Sequence, residues 1–198
     1  MTSTTPSSTV TEKAATTAVP LNDLLAHRWS SRAFDPQHEL SEPQVSALLE
    51  AARWAPSASN TQPWRFVVAR RGTAEFDAVL DTLAGGNQVW ARHASALLVV
   101  AAQGTDRPWA LYDTGQSVAL LSVQAGHEGL AAHQMGGFDR ERLQAALPDG
   151  VTPLVVVALV RRSEHTRLPE PFAGRETAGR ERLPLEQLML SLRLPTAS

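Results

Sequence analysis

Hydrophobic positions recur with two different periods along the chain, which predicts helices packed on a sheet. A Ser-Glu-Pro-Gln segment at 41–44 has the form of a capping box with proline in the first helical turn, and Val45 and Leu48 follow on one helical face. The continuous apolar runs at 96–102 and 153–160 are typical of strands that are covered on both faces. One sheet covered by helices accounts for both patterns.

The remaining elements follow from the same periodicities and from turn residues. Predicted helices lie near 21–25 and at 74–83, 112–125, 139–146 and 185–192, and predicted strands lie at 64–68 and 130–134. Residues 1–20 are rich in Thr, Ser and Ala and contain no aromatic residue, which predicts a disordered tail. We therefore expect one domain over 21–198, whose proline-rich last part, about 161–198, forms an extended arm.

Composition and charge narrow the classes of function. A length of 198 residues suits a single domain that needs no disulfide or metal to hold its core. The absence of cysteine excludes thiol nucleophiles, CxxC redox centres, cysteine-ligated zinc and iron–sulfur clusters. A formal net charge of −2 argues against nucleic acid and anionic membranes as partners. No apolar run is long enough for a membrane span or a secretory signal, so we expect a cytoplasmic protein.

Several familiar catalytic motifs are missing. The sequence contains neither a GxGxxG segment after a predicted strand nor a GxSxG elbow, and its six histidines lack metal-ligand spacing, so we expect no metal. Lys13 is the only lysine and lies in the predicted tail, which excludes a P-loop. The other 17 of the 18 basic residues are arginine, whose planar guanidinium binds phosphates at two points, although compositional drift also explains this bias.

The first of three polar clusters is the segment 27–34, between two predicted helices. It carries the guanidinium groups of Arg28 and Arg32 and the hydroxyls of Ser30 and Ser31. Donors of both kinds on one short turn suit a phosphate dianion. A solvated basic turn is the alternative, because surface arginines are commonly only hydrated.

Two loops and the arm carry the other polar groups. The segment 55–66 holds hydroxyls and amides between two prolines, which suits a flat heteroaromatic such as a flavin or pterin, or forms a plain helix-to-strand connection. The segment 129–139 ends a strand in two glycines, which permits close backbone approach to a ligand or a tight turn with positive φ. Arg180 and Arg182 point to one side if the arm is extended, or belong to an exposed charged tail.

In this order, the three clusters resemble the nitroreductase family of FMN-dependent oxidoreductases. The resemblance covers about 21–192 and is most specific in the run Pro-Ser-Ala-Ser-Asn-Thr-Gln-Pro-Trp at 56–64. It implies an α+β fold, namely a three-layer α/β/α sandwich with a mixed, mainly antiparallel central sheet. It also implies an intertwined homodimer with an exchanged C-terminal arm, in which the FMN sites lie at the subunit interface.

The resemblance further implies which residues contact FMN. The basic residues of the first cluster and of the arm would hold the phosphate, and the second-cluster loop would reach the flavin of the other subunit. The glycine pair would present backbone amides to the reactive edge, and Arg92 would lie near the pyrimidine edge, with His93 as its competitor. The implied cofactor-binding residues are Arg28, Trp29, Ser30, Arg32, Pro56, Ser57, Ala58, Ser59, Asn60, Gln62, Arg92, Met135, Gly136, Gly137, Arg180 and Arg182.

By this resemblance we expect tightly bound, non-covalent FMN, NAD(P)H as electron donor, and ping-pong reduction of a nitroaromatic, quinone or similar small-molecule acceptor. The flavin carries the electrons, so no catalytic side chain is expected. The alternatives are a flavin enzyme of another reaction type, such as a natural-product dehydrogenase or a flavin-fragmenting oxygenase, and a non-catalytic FMN-binding or storage protein.

One feature departs from the family. Many members insert a long helical excursion, which covers the active site, where this chain has only the short connection 103–108. The acceptor is therefore not defined by the sequence. Trp109 and Tyr112 follow the connection and are candidates either for a wall of the substrate slot or for the core.

Overall fold

The computed structural model describes residues 13–163 and 168–192. Residues 1–12, most of the predicted tail, lie outside the described residues, as do 164–167 and 193–198 at two places in the arm. Residues 13–20 contain no helix or strand.

The sheet has four strands in the order β1-β2-β4-β3, and each pair of neighbours is antiparallel. The strands are β1 (Trp64–Arg70), β2 (Ala96–Gln103), β3 (Leu130–Met135) and β4 (Val151–Arg161). Both apolar runs of the sequence form the central strands, β2 and β4, as their continuous hydrophobicity predicts. The α+β class and the mainly antiparallel sheet are confirmed.

Eight α-helices connect and cover the strands within the described residues. They are α1 (Asp23–His27), α2 (Glu42–Arg53), α3 (Ala74–Thr82), α4 (Gly85–Ala91), α5 (Pro108–His127), α6 (Arg140–Ala145), α7 (Phe172–Thr177) and α8 (Leu185–Leu188). The predicted capping box of α2 is present, since Ser41 Oγ accepts from Gln44 N and Gln44 Oε1 accepts from Ser41 N. The sequence patterns missed α4 and α7, and α8 ends four residues before the predicted helix end at 192.

Two hydrophobic cores lie on opposite faces of the sheet and produce the three layers. Because side chains alternate along a strand, Leu97 and Val99 of β2 join one core with α3, α4 and α6. Leu98 and Val100 point the other way and join the second core with α2 and α5. The sandwich follows from a central strand that is apolar at every position from Ala96 to Ala102.

Helix α5 begins at Pro108, four residues before the predicted start at 112. Proline is suited to the first turn because the N–H that it lacks has no partner there. Only residues 104–107 separate β2 from α5, so the connection is as short as the sequence predicts. Within 13–163 and 168–192, none of the helices has the length and apolar character needed to cross a bilayer.

Candidate functional site

The turn after α1 carries the first polar cluster, and its position is determined by a buried aromatic ring. Phe34 is 4% exposed and pairs through its backbone with Arg162, next to the end of β4. Ser31 is also buried, whereas Arg28 and Arg32 are partly exposed. The turn therefore holds its backbone in the core and leaves two guanidinium groups available at the surface.

The arm returns to this turn and places Arg180 and Arg182 beside Arg28. Arg180 donates from Nη1 to the carbonyl of Ala26, at the end of α1, at 2.7 Å. Burial lowers the pKa of Arg28, and the charge of Arg182 lowers it further. Burial also lowers the pKa of Arg180, with contributions from Arg28 and Arg182. We call Arg28, Arg180 and Arg182 the phosphate clamp, since three mutually repelling cations suit a dianion.

The buried carboxylate of Glu176 joins α7 to the turn, a contact that the sequence patterns did not indicate. Glu176 is 3% exposed, and its carboxylate accepts from the backbone N–H of Arg32 at 3.0 Å, from that of Ala33 at 3.4 Å and from Ser31 Oγ. Buried carboxylates need such donors, because an unpaired buried charge is very unfavourable. Arg32 lies beside this carboxylate and over the Trp90 ring, at 5.8 Å from its centroid.

His133 of β3 lies beneath the turn. Its Nδ1 donates to the carbonyl of Ser31 at 2.9 Å, and its ring is 4.4 Å from that of Trp90. Burial lowers the pKa of His133 from 6.5 to about 4, although the hydrogen bond to Ser31 opposes this change. The imidazole is therefore neutral at pH 7 and contributes to the core rather than to proton transfer.

We expect stability to fall as the pH drops from 7 to 5. The folded-state pKa of His133 lies below the unfolded value, so the unfolded chain takes up the proton first and the native state loses about 2 kcal/mol over this range. Urea unfolding at several pH values measures the slope, and the His133→Gln variant should lack this part of it. The exposed His127→Gln variant serves as control; equal slopes for wild type and His133→Gln would contradict the prediction.

The second cluster forms a loop with unusual backbone geometry. Ser59, Asn60 and Gln62 have positive φ values of 51°, 55° and 47°, which non-glycine residues rarely adopt. Asp113 of α5, itself 3% exposed, fixes the loop by accepting from Ala58 N at 2.9 Å. Strained backbone of this kind is concentrated at ligand-binding sites, where the surrounding structure holds it in place.

The other side chains of this loop remain at the surface. Gln62 donates from Nε2 to Asn60 O and Oδ1, both at 3.1 Å, and its N–H donates to Ser57 Oγ at 3.1 Å. Pro56 is exposed and Ala58 is partly exposed. The loop thus offers amide and hydroxyl groups on a rigid backbone, on a face where no other part of the described chain covers Pro56, Ser59, Asn60 or Gln62.

The remaining implied residues have different surroundings. The side chain of Met135 is 2% exposed and packs in the core, so it is not available to a ligand. Gly136 and Gly137 are exposed, and neither has positive φ, which excludes the tight-turn explanation for this pair. The carbonyl of Gly137 accepts from Ala84 N at 2.9 Å. Arg92 is exposed at the end of α4 and donates to Gln88 O.

Two aromatic side chains lie at the start of α5, directly after the short connection. Trp109 is 58% exposed and Tyr112 is 70% exposed, so neither belongs to the core. An open polar groove of about 470 Å³ runs along the short connection, and Thr61, Arg65 and Arg107 are among its lining residues. The short connection therefore leaves this side of the chain uncovered within the described residues.

Comparison with known proteins identifies the class to which this fold belongs. A model of the nitroreductase family matches residues 25–89. The structure superimposes on an oxidoreductase containing FMN with a TM-score of 0.83 and 33% identity, over 91% of this chain and 96% of that one. The chain belongs to the nitroreductase family.

Individual relatives differ in how much of the chain they match. An uncharacterized 15.4 kDa protein of Mycolicibacterium smegmatis is 43% identical over 63% of this chain and 92% of its own length. The putative NAD(P)H nitroreductase YdgI of Bacillus subtilis is 36% identical over 39% of this chain and 36% of its own length. The match to YdgI thus spans about a third of the length of that reductase.

Proposed function

We propose that this chain is an FMN-dependent oxidoreductase that takes electrons from NAD(P)H and passes them to a nitroaromatic, quinone or similar electron-poor acceptor. The phosphate clamp carries the proposal. Arg28 comes from the N-terminal turn and Arg180 and Arg182 come from the arm, yet the charge of Arg182 lowers the pKa of both Arg28 and Arg180, and Arg28 lowers that of Arg180. Among the described residues, no carboxylate forms an ion pair with any of the three.

The clamp fits the FMN phosphate by charge and by the number of donors. Three guanidinium groups offer paired N–H donors to a phosphate dianion, and Ser30 adds a hydroxyl on the same turn. Trp29 also belongs to this turn, and its indole N–H is buried without a partner among the described residues. Ser30, Trp29 and the clamp are therefore assigned to the phosphate and ribityl end of FMN.

We further propose that the site is completed by a second copy of the chain. Beyond Arg182 the arm exposes a series of large apolar side chains, a pattern typical of a segment that packs on a partner. They are Leu183, Leu185, Leu188, Met189, Leu190 and Leu192, each at least 59% exposed. The uncovered loop of Pro56 to Gln62 would then face the flavin held by the clamp of the other subunit.

In this mechanism the side chains bind and orient, and none transfers a proton. Bound FMN supplies the hydride and electron chemistry. The clamp holds the phosphate end, and the strained loop presents its amides to the ring system. Gly136 and Gly137 are exposed and would present their backbone to the ring edge, and exposed Arg92 would add positive charge near the pyrimidine edge.

One observation favours a second candidate, a flavin enzyme of another reaction type. The connection of residues 104–107 is short, and Trp109 and Tyr112 are exposed beside it. Exposed aromatic rings at this position would offer stacking contacts to flat substrates larger than a simple nitroaromatic. Such a protein would bind FMN in the same clamp but use a different electron donor or acceptor.

The visible spectrum under anaerobic conditions tests the proposal. We expect the purified protein to show flavin absorbance, and we expect NADH or NADPH to bleach it. A nitroaromatic or quinone should then restore the absorbance, as ping-pong turnover requires. A protein that remains colourless after FMN titration would contradict the proposal, and a flavin that neither nicotinamide bleaches would favour the second candidate.

A further inference from the structure

The segment just before α1 is part of the structure around the clamp. Residues 13–15, which we call the N-terminal strap, run alongside α1, where Ala15 N donates to Ala26 O at 2.9 Å. Ala26 O also accepts from Arg180 of the clamp at 2.7 Å. The strap and a clamp arginine therefore meet at the same carbonyl.

The side chain of Lys13 caps the C-terminal end of α7. Its ammonium group donates to the carbonyl of Glu176 at 2.5 Å and lies 3.4 Å from that of Arg175. Carbonyls in the last turn of a helix have no partner within the helix, and a cation there also interacts favourably with the helix dipole. The ammonium group additionally lies 4.3 Å from the centroid of the Trp29 ring, a cation–π contact.

The backbone of Lys13 holds Arg180 directly. The carbonyl of Lys13 accepts from Arg180 Nη1 at 2.6 Å, and the same nitrogen donates to Ala26 O. These two acceptors orient the guanidinium group and leave its other N–H donors available for an anion. Lys13 thus contacts both α7 and a clamp arginine, although it lies more than 160 residues from them in the sequence.

Helix α7 is therefore held in place by hydrogen bonds on two sides. On one side the Glu176 carboxylate accepts from the turn at 31–33, and on the other side Lys13 binds the carbonyls that end the helix. The arm leads from this helix to Arg180 within four residues. Holding α7 in place therefore holds the arginines that follow it.

We propose that Lys13, the single lysine of this chain, is a positioning residue that assembles the phosphate clamp before FMN arrives. The identity of the anion rests on the proposed function, whereas the contacts of the strap do not. When the clamp is assembled before FMN binds, the mutually repelling arginines are already together. The free-energy cost of ordering the arm then falls on folding rather than on FMN binding. An arm that docks only part of the time would weaken binding in proportion to the docked fraction.

Binding of FMN and of riboflavin by single variants tests this role. We expect Lys13→Ala to raise the FMN dissociation constant about tenfold, equal to about 1.4 kcal/mol, and to change riboflavin binding little, because riboflavin has no phosphate. Lys13→Arg should retain most of the affinity, since it keeps a cation on the strap. The exposed neighbour variant Thr17→Ala is the matched control. An unchanged ratio of FMN to riboflavin affinity in Lys13→Ala would overturn the proposal.

A second measurement examines the strap without any flavin. Acetic anhydride acetylates free amines, and the chain has only one lysine. Mass spectrometry therefore measures the acetylation of the Lys13 side chain directly. We expect Lys13 in the FMN-free folded chain to react at least several times more slowly than in a peptide covering 8–18. Equal rates would overturn the docked strap, whereas a wild-type chain that binds no FMN would overturn the proposed function, so the two failures are distinct.

Discussion

Replacing Arg28 and Arg32 together with alanine is expected to weaken FMN binding by about two to four orders of magnitude. In the proposed site, each substitution would remove charge-assisted hydrogen bonds to the phosphate worth roughly 1.5–3 kcal/mol, and tenfold in affinity corresponds to about 1.4 kcal/mol. Arg28 belongs to the clamp, whereas Arg32 lies beside Glu176, which partly neutralises it. Of the two single variants, Arg28→Ala should therefore have the larger effect.

Fluorescence titration with FMN and with riboflavin measures this loss and assigns it to the phosphate. The double variant Arg53→Ala with Arg142→Ala removes the same charge from exposed positions and should bind FMN as the wild type does. FMN affinity that survives in the Arg28 and Arg32 double variant would show that the first polar cluster is only a solvated turn.

Replacing Trp90 with alanine is expected to lower the free energy of unfolding by about 3–5 kcal/mol, as large-to-small changes in a core do. Trp90 is 1% exposed and packs edge-on against Phe34, with 5.5 Å between ring centroids, and against His133 at 4.4 Å. The ring therefore supports the turn that carries Arg28 and Arg32, so the variant should also bind FMN more weakly.

Chemical unfolding monitored by circular dichroism gives the stability change. Trp90→Phe should cost clearly less than Trp90→Ala, because it keeps an aromatic ring and removes an indole N–H that has no partner among the described residues. Trp54→Ala is the control, since that ring is 72% exposed. A loss in Trp90→Ala no larger than in Trp54→Ala would contradict the packing of Trp90 in the core.

Much of the fold was predictable because its elements have strong local patterns. The capping box at Ser41 and the continuous apolar strand at 96–102 determine α2 and β2 almost by themselves. Helix α4 was missed because it begins with Gly85 and Gly86, which are poor helix formers. It forms because burial of Trp90 and Ala91 outweighs the low propensity of those glycines.

The candidate site was only partly predictable, for a different reason. The arginines of the first cluster and of the arm were recognisable as groups suited to phosphate, but their proximity depends on how the arm folds back. Asp113, Glu176 and Lys13 were not identified, since their partners lie 55, 143 to 145 and 162 to 167 residues away. No local pattern distinguishes such side chains from ordinary surface residues.

The sequence by itself determined the order of the strands along the chain, six of the eight described helices, the capping box of α2 and the types of donor group near the site. These features depend on interactions between residues that are close in sequence. Such interactions can be inferred from local periodicity and composition. Only the tertiary structure decided that Arg28, Arg180 and Arg182 converge, that Trp109 and Tyr112 are exposed, and that Lys13 joins the clamp. Those outcomes depend on the packing of segments distant in sequence, where burial and charge act together on groups that the chain brings close only after folding.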